Sequence, residues 1–303
     1  MKSLKKYLSE GALLVNTIIW GGTFALIKNA LPDISPSIFL AVRFSIAALI
    51  LLPFVFRQIV SITKPAFISG IVLGIFYFLG FAAQTIGLKF TTATKSGFIT
   101  GTFVVIIPVL QLLIERRTPR WHNFLSILLV LLGLIFLSSK GENIFSLIDE
   151  LGADFNLGDL LTLICAVLFA FQVVYVDVFT KRFDYLPLVF LQLAITGIGG
   201  AVFTFIFSLT GIEIINFTFS GSVLIALVYT VIFASVAATI IQLKFQKEVS
   251  PTKAGIIFSF EPIMAAIFAF FILNEKISNF GLLGCILIFI GLLLSEILDK
   301  KDG

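Results

Sequence analysis

Glu261 is the only acidic residue in the apolar stretch 253–273, and Pro262 follows it at once. If that stretch crosses a bilayer as a helix, Glu261 lies about eight residues in, roughly 12 Å deep at 1.5 Å per residue. An ionisable side chain at that depth costs about 2.5–3.5 kcal/mol on insertion scales, so it marks a task. Proline removes the N–H that would satisfy the carbonyl one turn earlier, and it bends or breaks the helix. A carboxylate beside such a break can carry a proton or hold a cationic group, or it can neutralise a buried cation. Arg43 is the candidate cation, about seven residues and roughly 10 Å into the stretch 36–56. Its planar fork suits a carboxylate or phosphate of a solute. It can equally reach back to the surface or pair with Glu261.

Lys95 opens the stretch 95–114 and Lys28 closes 11–31. They read as interfacial anchors or as solute contacts. Asp177 precedes Lys181 by four residues, the spacing of a helical ion pair. Trp20, Thr23 and Phe24 flank Gly21-Gly22, where the backbone can loosen, and are expected at a cavity. Pro262 belongs with them through Glu261. The intramembrane Gln84, Gln172, Gln192 and Gln242 either line a cavity or join helices, and most are expected to join helices. The abundant Phe reads as lipid-facing filling.

These residues need apolar helices to hold them. The chain has 303 residues, 59% hydrophobic and 13% charged, with mean hydropathy +1.12. Soluble domains are about 45–50% apolar and about 25% charged. The composition excludes disorder and a soluble globule, and implies an all-α polytopic protein of the lipid bilayer. Breaks at Pro, Gly and charge clusters delimit ten spans: 11–31, 36–56, 66–88, 95–114, 122–139, 157–179, 186–210, 221–242, 253–273 and 280–298. The longest connection, 140–156, is acidic, with Glu142, Asp149, Glu150 and Asp154. With the N-terminus inside, fifteen Lys and Arg fall on the cytoplasmic side and five outside, leaving Arg43 in the membrane. That bias puts both termini in the cytoplasm. The expected location is a bacterial plasma (inner) membrane.

The two halves repeat. Leu88-Lys89-Phe90 returns as Leu243-Lys244-Phe245, and from Thr94 onward the shift is 158: Thr94-Lys95 with Thr252-Lys253, Gly97 with Gly255, Ile99 with Ile257. Residues 1–139 and 157–303 then form two five-span repeats joined by 140–156. An odd number of spans forces the copies to lie upside down relative to each other, the architecture of secondary transporters. The second half places Glu261-Pro262 where the first has Phe103-Val104, with Pro108 later.

Other chemistries lack their residues. No phosphate-binding Gly-x-x-x-x-Gly-Lys-Ser/Thr occurs, so no ATPase motor is encoded. His122 is the single histidine, and Cys165 and Cys285 stand apart, so neither a metal site nor another cofactor is expected. Basic residues are scattered rather than striped, which argues against nucleic acid. A lipid enzyme would need an acid/base pair at an interface, and the carboxylates are dispersed.

Trp20-Gly21-Gly22-Thr23-Phe24, Pro36 with Arg43-Phe44, Lys95-Ser96-Gly97-Phe98 and Glu261-Pro262 together resemble the EamA family of the drug/metabolite transporter superfamily. The resemblance covers essentially the whole chain. It implies ten helices in two inverted repeats and alternating access driven by protons or a counter-substrate. Spans 1–4 and 6–9 would enclose a cavity, with export of a small amino acid-like or drug-like solute. Uptake of a metabolite, or flipping of a lipid-linked one, is the alternative. Oligomeric state is left open.

Overall fold

A computed structural model describes residues 2–138 and 155–301, so most of the acidic connection, residues 140–154, lies outside the described residues. Regular structure among the described residues is helical, apart from one antiparallel bridge between Ile34 and Phe217. In chain order the first half holds α1 (Lys2–Ala30), α2 (Pro36–Val60), α3 (Lys64–Gly87), α4 (Ala93–Gly101), α5 (Phe103–Glu115) and α6 (Trp121–Ser138). The second half holds α7 (Leu157–Thr180), α8 (Tyr185–Thr210), α9 (Gly221–Tyr229), a π-helical segment (Thr230–Ala237), α10 (Ala238–Gln246), α11 (Pro251–Phe258), α12 (Glu261–Leu273) and α13 (Asn279–Lys301).

Eight helical segments are long and apolar enough to cross a membrane; three of them join consecutive helices, namely Ala93–Glu115, Gly221–Gln246 and Pro251–Leu273. Asn123–Leu137 and Asn279–Ser295 are shorter apolar helices. The ten expected stretches therefore all fold as helix, with ends moved by a few residues. Pro36, Pro65 and Pro251 sit in first turns, where a missing N–H costs nothing.

The repeat is sharpest in the two broken helices. Thr92 caps α4 through the Lys95 N–H, and Ser250 caps α11 through the Lys253 N–H, again 158 residues apart. The first helix breaks at Thr102 and the second at Ser259–Phe260. Each ends on a left-handed residue, Arg116 with φ 56° and Asn274 with φ 55°. Phe103 and Glu261 thus start equivalent half-helices despite their different chemistry, and the departure seen in the sequence leaves the shape intact. The two helices run antiparallel. Glu275, beyond the end of α12, accepts the N–H groups of Ala93 and Thr94 at 3.0 and 3.1 Å. Gln111, near the end of α5, accepts the Thr252 N–H at 3.1 Å and its hydroxyl at 2.5 Å.

Packing follows the same pattern. The most extensive pairings are α6 with α13 and α2 with α8, each joining equivalent helices of the two halves. Helix α3 packs on α7 and α8, and α1 packs on α12 and on the α9–α10 segment. An ideal Cβ on Gly133 would stand 2.7 Å from the Gly284 carbonyl, so only paired glycines let α6 and α13 come this close.

Candidate functional site

Glu261 opens α12 and is 9% exposed. Its carboxyl faces a central cavity of about 40 Å³ walled by α1, α3, α5, α7, α10, α11 and α12. It makes no hydrogen bond or ion pair among the described residues. Trp20 and Thr23 line the same cavity, as do Gln84, Gln172 and Gln242. The remaining wall is mostly aromatic: Tyr77, Phe81, Phe103, Phe169 and Phe258.

Each side chain is held by a specific neighbour. Trp20 donates its indole N–H to the Ala234 carbonyl at 3.2 Å, an acceptor within the π-helical segment. π-Helical turns offset the backbone ladder and recur at functional sites. Asn16 Nδ2 and Tyr229 Oη add bonds to Ala238 O and Ile19 O, stapling α1 to the eighth span. Tyr77 shares a 2.9 Å hydrogen bond with Thr239. Gln172 and Gln242 bond to each other, and the chain continues through Gln242 to Gln246, which donates to the Val173 carbonyl at 2.6 Å. This amide relay orients two polar groups of the wall, so the glutamines both join helices and line the cavity.

Gly21 and Gly22 do not loosen α1, which runs unbroken from Lys2 to Ala30. They admit neighbours instead. An ideal Cβ on Gly21 would stand 2.3 Å from Met264 Cβ and 3.0 Å from the Glu261 carbonyl oxygen. Close approach of α1 is what brings Trp20 and Thr23 to Glu261.

The other expected site residues lie elsewhere. Arg43 is fully buried but does not line the cavity. Its Nε donates to Ser235 Oγ at 2.8 Å, and its guanidinium lies 4.5 Å from the Phe44 ring centre and 4.8 Å from that of Phe81. Among the described residues its two terminal nitrogens have no hydrogen-bond partner, and it forms no ion pair with Glu261. Phe24 is buried in a separate apolar cluster with Ile27, Phe39 and Leu88. Pro262 packs against Gly97 and Gly101 of α4 rather than facing the cavity. Lys95 pairs with Asp159 at 2.7 Å, near one end of the molecule. Lys28 donates to the Leu88 carbonyl nearby at 2.5 Å. At the other end Lys253 pairs with Glu10 at 2.7 Å, and Asp177 pairs with Lys181 as its spacing implied. Clefts of about 570 and 360 Å³, both touching Lys181 and Arg182, open at this second end.

Residues 9–139 and 156–297 each match the EamA-like transporter family. The chain belongs to that family. Through it the chain belongs to the drug/metabolite transporter superfamily and is a membrane transporter. A protein of Archaeoglobus fulgidus described as an uncharacterized transporter is 31% identical to this EamA-like chain over 97% of it and 87% of the relative. The uncharacterized transporter YoaV of Bacillus subtilis is 24% identical over 92% and 93%. A crystal structure with 17% sequence identity matches at a TM-score of 0.71 over 95% of this chain and 96% of the other, which shows a common fold.

Proposed function

We propose that this EamA-like protein is a secondary transporter that exports a small organic solute by alternating access, with Glu261 as the group that exchanges a proton for the solute. The observation that carries the reading is the unpartnered Glu261 carboxyl, the only formally charged group lining the central cavity. A buried carboxylate without a cation is costly, and one proton or one cationic group offsets that cost.

The ten helices form two inverted five-span halves, a reading supported by the antiparallel broken helices and their caps. Inversion gives two conformations of similar energy, opening to opposite sides. The ion pairs at the two ends support this, since each joins one half to the other. A 40 Å³ cavity holds a few waters, whereas solute sites span about 300–1,000 Å³. The conformation is therefore closed around the site. With the N-terminus inside, the Lys253 end faces the cytoplasm of a bacterial cell, and the clefts beside Lys181 are the cytoplasmic approach.

Comparison of the medium from cells overproducing wild-type protein and Glu261→Gln tests this. A solute enriched outside with the wild type alone is the expected result. Depletion from the medium would replace export with uptake. No difference, with both proteins confirmed in the membrane, would overturn export.

A further inference from the structure

The wall of the central cavity departs sharply from the chain's composition. Aromatic residues make up 14% of the sequence, so about two of twelve lining residues would be aromatic by chance; six are. They form two clusters. Trp20, Phe258 and Phe103 stand with neighbouring ring centres 5.4 and 6.5 Å apart. Tyr77, Phe81 and Phe169 stand with centres 4.6, 5.0 and 6.3 Å apart. Four of these five contacts are edge-to-face and the fifth is tilted. The rest of the wall is amide, hydroxyl and one valine, plus Glu261, with no lysine, arginine or histidine.

Resting on the reading of this cavity as the transport site, we infer that the solute is an organic cation: an amine or quaternary ammonium compound with an apolar or aromatic body. Ring faces carry negative potential and attract a positive group, most strongly out of water. Glu261 supplies the opposite charge, and the glutamine relay supplies orienting dipoles. An anion would meet the Glu261 carboxylate with no cation in the lining to offset it. The buried cation Arg43 lies against the Phe81 ring and outside the lining, so a zwitterion's carboxylate does not reach it unless that ring moves. The exchange balances: protonated Glu261 gives up its proton to water on one side as the cation enters, and regains a proton from the other side when the cation leaves. Tyr77 on α3, which neighbours both Glu261 and Arg43, and Cys165 on α7 are the other titratable groups around it.

The test uses the full-length protein in liposomes with a pH-sensitive dye sealed inside. Four outward gradients are compared: benzyltrimethylammonium, its neutral isostere neopentylbenzene, phenylalanine and benzenesulfonate. A benzyltrimethylammonium gradient should drive saturable proton movement in the opposite direction, and the other three should not. Glu261→Gln should fall to the level of empty liposomes, while Glu261→Asp retains exchange. Trp20→Leu should raise the half-saturating concentration about tenfold, with Trp20→Phe closer to wild type. Exchange driven by phenylalanine or benzenesulfonate, dependent on Glu261, would overturn the cationic class and leave the transport site standing. Benzyltrimethylammonium exchange unchanged in Glu261→Gln would overturn the site. No exchange with any of the four, from protein shown to be folded by gel filtration and circular dichroism, would overturn both.

Discussion

Lys95 and Lys253 hold equivalent first-turn positions on two antiparallel broken helices, and each pairs with a carboxylate on the leading helix of the opposite half. Lys95 reaches Asp159 on α7, and Lys253 reaches Glu10 on α1, both at 2.7 Å. The two pairs lie at opposite ends of the molecule, with Glu261 between them. The repeat thus supplies one ion pair at each end, made of the same parts.

Asp159 has no exposed side-chain surface, so removing its lysine strands a buried charge. Lys95→Met should cost on the order of 3 kcal/mol. The exchanged pair Lys95→Asp with Asp159→Lys should recover part of that loss. Thermal unfolding of the detergent-purified variants measures both, and equal losses in the single and double variants would show that the pair contributes nothing.

The contacts next to these pairs differ in charge. Glu275 accepts two N–H groups and the Thr94 hydroxyl at the positive end of α4, whereas Gln111 serves α11 as a neutral amide. Hydrogen bonds to charged groups contribute about 1.5–3 kcal/mol against about 0.5–1.5 for neutral ones. Glu275→Ala should therefore destabilise more than Gln111→Ala, by about 1 kcal/mol or more. Denaturation midpoints compared side by side check the order.

Gly21 is the contact that seats α1 on Glu261. Gly21→Ala should destabilise by about 1–3 kcal/mol through overpacking against Met264 and Ala265, and it should reduce transport by displacing Trp20 and Thr23. Gly11→Ala is the control, because nothing lies within 4 Å of its added methyl group. It should be neutral or slightly stabilising, as alanine favours helix.

Proton coupling through Glu261 predicts that wild-type exchange varies with pH, while Glu261→Gln stays at the level of empty liposomes across the range at unchanged melting temperature. Solute flux measured from pH 5 to 9 in liposomes reads this directly. A variant that keeps the wild-type profile would remove Glu261 from the coupling.

Much of the molecule was legible before folding, because a bilayer makes the sequence state its own architecture. An apolar run of about twenty residues must be a helix there, since backbone groups find no water. The ten stretches came out as helix for that reason, with proline in the first turn of several. The Thr-Lys pairs at 94–95 and 252–253 marked the repeat, and Glu261 declared itself by its depth. Partners were not legible. Nothing in sequence separates Phe81, which lines the cavity, from Phe24, which fills a core, because both are apolar and only the packing of neighbouring helices decides which face meets a cavity. Glu10 and Asp159 also gave no sign of their lysines, more than sixty residues away in the chain.

By itself, then, the sequence determined the helices, the repeat and the one acidic residue deep in the ninth stretch. Their identities follow from local costs, of burying backbone polar groups and of placing a charge in hydrocarbon. Only the tertiary structure decided that Glu261 faces an aromatic cavity while Arg43 lies outside its lining. The first depends on how closely α1 approaches α12 over Gly21, and the second on α2 meeting Ser235 and Phe81, contacts between distant segments that no local preference encodes.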